Sequence, residues 1–293
     1  MKSFYLYILI PLALFSCKSA KKVINETSIS KQEKKVIDTI TTTKEVIKMT
    51  DSLMVPPDKK DIEIIEKPII KEIPQAPLKV VFGHETFQTL LKKHVSDRGD
   101  VNYKGLKTDW KTLRKYIDQL GKNLPDSNWT KNEKLAYWIN AYNAMTVDLI
   151  LRHYPIKSIK DIKNPWKQRY WQLGEKWYNL DEIEHQILRK MDEPRIHFAI
   201  VCASYSCPKL QNEAFTPSNL EQQLTRATKE FLNDPERNSI SKNNLELSKI
   251  FQWFAKDFKQ NGSLIDFLNA YTETEISQSA KKQFKDYSWD LNE

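Results

Sequence analysis

The sequence predicts an α+β domain in which helices pack on a small antiparallel sheet. Three observations carry that expectation. A helical segment from Leu135 to about His153 is apolar on nearly every side, the mark of a helix enclosed by its own domain. Short β-favouring stretches flank tight turns at 169–178 and 239–247. Glu193-Pro194 opens an apolar run, Ile196 to Val201, of buried-strand character, which ends in a polar loop holding Cys202 and Cys207.

The chain has 293 residues, 40% hydrophobic and 29% charged, which suggests a core diluted by a polar segment. Its net charge is +8. The lysines are scattered rather than striped, so the balance reads as solvated surface and not as a nucleic-acid face. Only 6 glycines occur and none builds a phosphate loop. The sequence calls for no cofactor.

The first segment is an address. One Lys, an apolar run from Phe4 to Phe15, and then Cys17 form a stretch too short to span a bilayer. Leu14-Phe15-Ser16-Cys17 resembles a bacterial lipobox, in which the Cys is acylated and becomes the first mature residue. Lys18 follows, without an Asp retention signal. The expectation is a signal peptide over 1–17, lipidation (palmitate among the acyl chains) at Cys17, and an outer-membrane lipoprotein facing the periplasm. Residues 18–79 are rich in Lys and Glu, then in Pro, with almost no aromatics. Such a composition cannot repay its ordering entropy. It predicts a tether with a reach of about 45 Å, which leaves 80–293 as the globular domain.

Within that domain, helices are expected over 84–94 and 109–120. The central helix follows, opened by a Thr130/Glu133 capping box and stopped before Pro155. Asn140 and Asn143 lie inside it, three apart and therefore on one face. Either they bind neighbouring backbone and fix the packing, or they orient a catalytic group or ligand. Trp166, Trp171 and Trp177 crowd a hairpin, as core and lid or as an aromatic platform for a glycan or peptide. A helix over 181–191 pairs Asp181 with Glu184 at its cap and carries His185 beside an apolar edge. Helices at 220–232, 250–258 and 263–271 follow, strands at 239–240 and 245–247, and a final alternating stretch at 284–291.

Four motifs, in order, carry a resemblance. They are Glu133-Lys-Leu-Ala-Tyr-Trp138-Ile-Asn140-Ala-Tyr-Asn143-Ala, Leu180-Asp-Glu-Ile-Glu184-His185-Gln-Ile-Leu-Arg189, Arg195-Ile-His197-Phe-Ala-Ile-Val-Cys202-Ala-Ser-Tyr-Ser-Cys207-Pro208 and Tyr287-Ser-Trp289-Asp-Leu-Asn292. Together they resemble the bacterial and plant family called domain of unknown function 547 (DUF547). Ala203 stands where that pattern has Gly, and Ser288-Trp289 reverses its order. The resemblance implies an α+β fold and no established activity.

The chemistry in these residues has two expectations. The first is a Cys/His hydrolase or acyltransferase acting on peptide or cell-wall amide bonds, papain- or transglutaminase-like in a permuted or degenerate form. Cys202 is the candidate nucleophile. His185 ranks first as base, because strand alternation would turn His197 away from Cys202. Asn140, Asn143 and Glu184 are candidate orienters. The second expectation is an envelope binding module with a structural Cys202–Cys207 disulfide in an oxidising compartment. A metal site on the two thiols and a His lacks an evident fourth ligand. The expected partners are the membrane through its lipid, and peptidoglycan, a peptide or an envelope protein.

Overall fold

Thr130 starts the longest helix. Its hydroxyl accepts the Glu133 N–H at 3.2 Å, and Glu133 Oε2 accepts the Thr130 N–H at 2.6 Å. These are the two reciprocal bonds of a capping box. The structure is a computed structural model that describes residues 82–293, all within one compact unit, Gln75–Glu293. The expected signal segment, Cys17 and the 18–79 tether lie outside the described residues.

Among the described residues three helices precede the capping box: α1 (Glu85–His94), α2 (Tyr103–Thr108) and α3 (Trp110–Lys122). The central helix α4 (Lys131–His153) has every residue from Leu135 to Leu151 buried. Phe87, Leu90 and Leu91 of α1, and Leu113, Tyr116 and Leu120 of α3, share its hydrophobic cluster. Ahead of α2, Val101 makes an isolated antiparallel bridge to Val95. The Asn102 side chain then accepts the Gly105 N–H at 2.7 Å and turns the chain into a helix.

A two-stranded hairpin, β1 (Trp171–Leu173) and β2 (Lys176–Tyr178), follows as expected. Gly174 has φ 59° at the first central position of its turn, where a type II′ turn needs positive φ. The next helix, α5, begins at Leu180–Glu182, widens into a π-helical turn over Ile183–Ile187 and tightens to 3-10 over Leu188–Lys190. Its cap is Asn179, which accepts the Glu182 N–H at 2.8 Å. The expected Asp181/Glu184 pairing is therefore not made, and Glu184 is left to face inward.

The expected strand over Ile196–Val201 is a 3-10 segment, Pro194–Phe198. Pro194 presets φ at its first turn. Glu193 accepts the Arg195 N–H at 3.2 Å and its carbonyl accepts the Ile196 N–H at 3.1 Å. An apolar run buried on every side has no period that separates strand from helix. With the strand goes the objection that His197 and Cys202 must face opposite ways.

A second cluster gathers Phe198, Phe231, Phe251 and Phe258. Around it lie α6 (Leu220–Leu232), β3 (Ser239–Ile240), β4 (Asn244–Leu247), α7 (Ile250–Trp253), α8 (Leu264–Asn269) and β5 (Lys281–Phe284). The α+β class holds, but the three-stranded sheet is mixed: β3 runs antiparallel to β4, and β5 parallel to it. The helical crossover through α7 and α8 returns the chain in the parallel sense. The terminal strand lies earlier than its alternation suggested. Beyond it Asp290 and Leu291 make isolated bridges to Ser158 and Ser204, which carries Tyr287 and Trp289 across the face of the Cys202 loop. No helix of the described residues is long and apolar enough to cross a membrane.

Candidate active site: a thiolate cavity

Ala203 has φ 59°, a left-handed position that costs a non-Gly residue about 1 kcal/mol. Glycine adopts this conformation without that cost, which agrees with the Gly that the resemblance led one to expect at this position. The turn folds Cys207 back on Cys202. The two sulfurs are 3.0 Å apart and unbridged. The Cys202 N–H donates to Cys207 Sγ at 3.0 Å. Ser204 Oγ and Tyr287 Oη lie 3.0 and 3.3 Å from Cys202 Sγ, and 2.8 Å from each other. Hydrogen bonding from the Cys207 thiol, with lesser help from Ser204 and Tyr287, outweighs burial and brings the Cys202 thiol down to about 6. Burial, and the thiolate beside it, push Cys207 the other way. Cys202 is thus the more readily ionised, partly buried member of the pair, and Cys207 the buried one that holds its proton more firmly.

Cys202 borders a cavity of about 640 Å³ whose wall also includes Cys207, Glu184, His185, His197 and Tyr287. Five of the residues singled out in the sequence therefore meet at one cavity. Asn140 and Asn143 do not line it. Asn140 is bonded to the backbone of Phe215, donating to its carbonyl at 2.8 Å and accepting its N–H at 3.0 Å. Asn143 does the same for the segment that leads to Cys202, donating to Ala199 O and accepting from the Val201 N–H.

The two histidines differ in what their nitrogens can do. His197 donates its Nε2–H to Asp257 at 2.8 Å, which leaves Nδ1 to exchange a proton. Its ring lies flat on Phe254 at 4.0 Å. Burial lowers its pKa against the pull of Asp257. His185 accepts a bond from Arg189 at its Nδ1, 3.0 Å away, so that lone pair is occupied. Its Nε2 is 3.7 Å from Asp181. His197 Nδ1 has no hydrogen bond to protein among the described residues, whereas His185 Nδ1 has one.

The carboxylate that holds His197 belongs to a residue the sequence reading missed. Asp257 takes His197 on one side and a two-pronged grip from Arg189 at 2.6 and 2.8 Å on the other. Burial would raise its pKa, but the bonds from Arg189 and His197 prevail and hold it well below the usual carboxylate range. The signal was present: Asp257 falls on the apolar stripe of Ile250, Phe254 and Phe258, where a carboxylate needs a partner.

Glu184 Oε2 accepts the Tyr142 hydroxyl at 3.0 Å. Burial raises its pKa against the pull of His185 and Tyr142, so it retains its proton to higher pH than an ordinary Glu. Among the described residues no group of three or more His, Cys, Asp or Glu is disposed to hold a metal ion. Of the hairpin tryptophans, Trp171 is buried with its Nε1 on Asp148 at 2.8 Å, and Trp177 is half-exposed. Only Trp166 reaches the cavity, where Trp253 and Trp289 join it.

Residues 127–232 match the model of the family described as Protein of unknown function, DUF547. The DUF547 match contains α4, α5, both histidines and both loop cysteines, while Asp257 and Tyr287 lie beyond its end. No curated protein and no solved structure matches the chain. The DUF547 description assigns no chemistry, so function rests on the site itself.

Proposed function

We propose that this protein is a lipid-tethered envelope enzyme that transfers or hydrolyses acyl groups through Cys202, acting on peptide or cell-wall amide bonds. Lipidation at Cys17 would hold it on the outer membrane, and the 18–79 segment would let the catalytic domain reach peptidoglycan peptides in the periplasm. The observation that carries the reading is the shared cavity wall: Cys202, whose thiol is brought down to about 6, and His197, held from behind by Asp257, border the same space.

The proposed steps use the directions in which these groups are shifted. Cys202 Sγ attacks the amide carbon and forms a thioester. Glu184 gives its proton to the departing nitrogen, and an amine leaves. In the second half His197 Nδ1 takes a proton from water while the oxygen adds to the thioester carbon. The C–S bond breaks, Cys202 returns as thiolate, a carboxylic acid leaves, and the proton on His197 passes back to Glu184. An amine acceptor in place of water gives transfer.

A second reading, a binding module with a Cys202–Cys207 bridge, is favoured by the 3.0 Å approach of the sulfurs. One experiment separates them: count free thiols in mature protein isolated without reductant, then time their alkylation at neutral pH. Two thiols, with Cys202 labelled fast, support the enzyme. No free thiol in the resting protein supports the bridge and removes the nucleophile.

A further inference from the structure

The cavity has a second wall that the chemistry above does not use. Trp253 and Trp289 lie nearly parallel with ring centres 5.9 Å apart, and Trp166 meets Trp289 edge-on. Lys160, Lys163 and Lys167 line the same space and are exposed. Among the described residues none of the three makes an ion pair. Lys160 instead holds its ammonium 4.0 Å over the Trp289 ring, a cation–π position that fixes a flexible side chain. A relay of contacts connects it to the reacting sulfur: the Trp289 ring centre is 4.7 Å from that of Tyr287, whose hydroxyl is 3.3 Å from Cys202 Sγ.

Set against these cations are two carboxyls on the cavity wall, Asp181 and Glu184. Asp181 is about half solvated, and Glu184 is buried and inclined to stay protonated. Asp257 and Arg189 neutralise each other behind His197. The mouth therefore carries uncompensated positive charge beside flat apolar rings.

We propose that the cavity selects peptides with a free carboxylate close to the bond attacked, the carboxylate at Lys160, Lys163 and Lys167 and the adjoining chain against the indoles. The proposal rests on Cys202 being the nucleophile of an acyl-transfer site, and it adds the substrate class. Low-dielectric walls focus such a field on entering anions.

The test uses two alkylating probes that differ in charge alone. The reduced full-length protein, freed of reductant, is treated with iodoacetate or iodoacetamide, and carboxymethylation or carbamidomethylation of the Cys202 peptide is timed by mass spectrometry. In each case the thiolate displaces iodide, so no turnover is needed. The expected result is an iodoacetate-to-iodoacetamide rate ratio several-fold above that of a free cysteine. The ratio should fall at least about threefold in the K160A/K163A/K167A variant, and should collapse in wild type near 1 M salt, where charges are screened beyond about 3 Å. Fast labelling with no preference for iodoacetate overturns the carboxylate proposal alone. A preference that survives the triple substitution overturns it too, because the charge then comes from an imidazolium. Labelling of Cys202 no faster than a free cysteine by either probe overturns the nucleophile and the proposal together.

Discussion

Asn143 Oδ1 accepts the Val201 N–H at 3.0 Å, one residue before Cys202. The same carboxamide donates to Ala199 O at 2.9 Å. A helix buried on all sides thus fixes the backbone that leads to Cys202. Asn143→Ala leaves a buried N–H and a buried C=O unpaired, which costs about 2–4 kcal/mol in all. Urea unfolding should show that loss, and alkylation of Cys202 should slow in the variant. Asn140→Ala should cost a similar amount, because it also abandons two backbone bonds. Its partner, Phe215, is not on the cavity wall, so Cys202 should alkylate at the wild-type rate. If both variants slow alkylation equally, Asn143 has no special hold on the loop.

Cys207 is the first cause of the lowered Cys202 pKa. Cys207→Ala removes the thiol donor and leaves Ser204 and Tyr287. In wild type the alkylation rate should rise with pH through about 6 and flatten by neutrality. In Cys207→Ala that rise should move up toward the ordinary thiol value of about 8.5, so labelling at pH 7 falls several-fold while the high-pH plateau is kept. An unshifted profile would mean that the hydroxyls alone hold the thiolate.

Much of this site was legible before any coordinates. The capping box, the enclosed helix and the hairpin follow from local rules, and each formed where its residues placed it. The α+β class follows from them. What was not legible had a physical reason in each case. The 196–201 run is apolar throughout, so it has no period to reveal that Pro194 and Glu193 wind it into a 3-10 turn. The inward turn of Glu184 depends on Asn179 taking the cap, a contest between neighbours with similar preferences. Asp257 is 60 residues from His197, and nothing local announces the pairing. Its only trace was a charge on an apolar stripe. The two asparagines were read as satisfied by backbone or as orienters, and the structure joins them to backbone. Only Asn143 does so beside the reactive loop.

Asp257 also governs acid stability. Its folded pKa lies below the unfolded value of about 3.9, so it contributes stability that is complete above that value and is lost as pH falls through the acid range. Asp257→Asn leaves the partly buried Arg189 without its counter-ion, at a cost of about 3 kcal/mol at neutral pH. The variant should be less stable than wild type at pH 7, and the gap should narrow steadily below about pH 4. A gap that is constant with pH would show that the carboxylate's charge is not what stabilises the fold. On the proposed steps, where His197 acts in the second half, Asp257→Asn should slow deacylation of a thioester formed from an activated ester more than it slows thioester formation.

His84 predicts a different window. Its ring is buried, with Nδ1 2.6 Å from Tyr116 Oη, and burial lowers its pKa to about 4. The unfolded chain binds that proton near 6.5 and the folded one does not until about 4. Between those values the unfolded state holds more protons, so stability falls as pH falls and levels off below the folded pKa. The loss approaches about 3 kcal/mol across the window. His197 is shifted in the same direction, so the wild-type slope contains both rings. Urea midpoints taken from pH 7 to pH 4 on wild type and His84→Gln isolate the first. The variant should have a shallower slope than wild type, the remainder belonging to the other shifted groups, His197, Cys202 and Glu184 among them, and identical slopes would place the His84 proton in the folded state as readily as in the unfolded one.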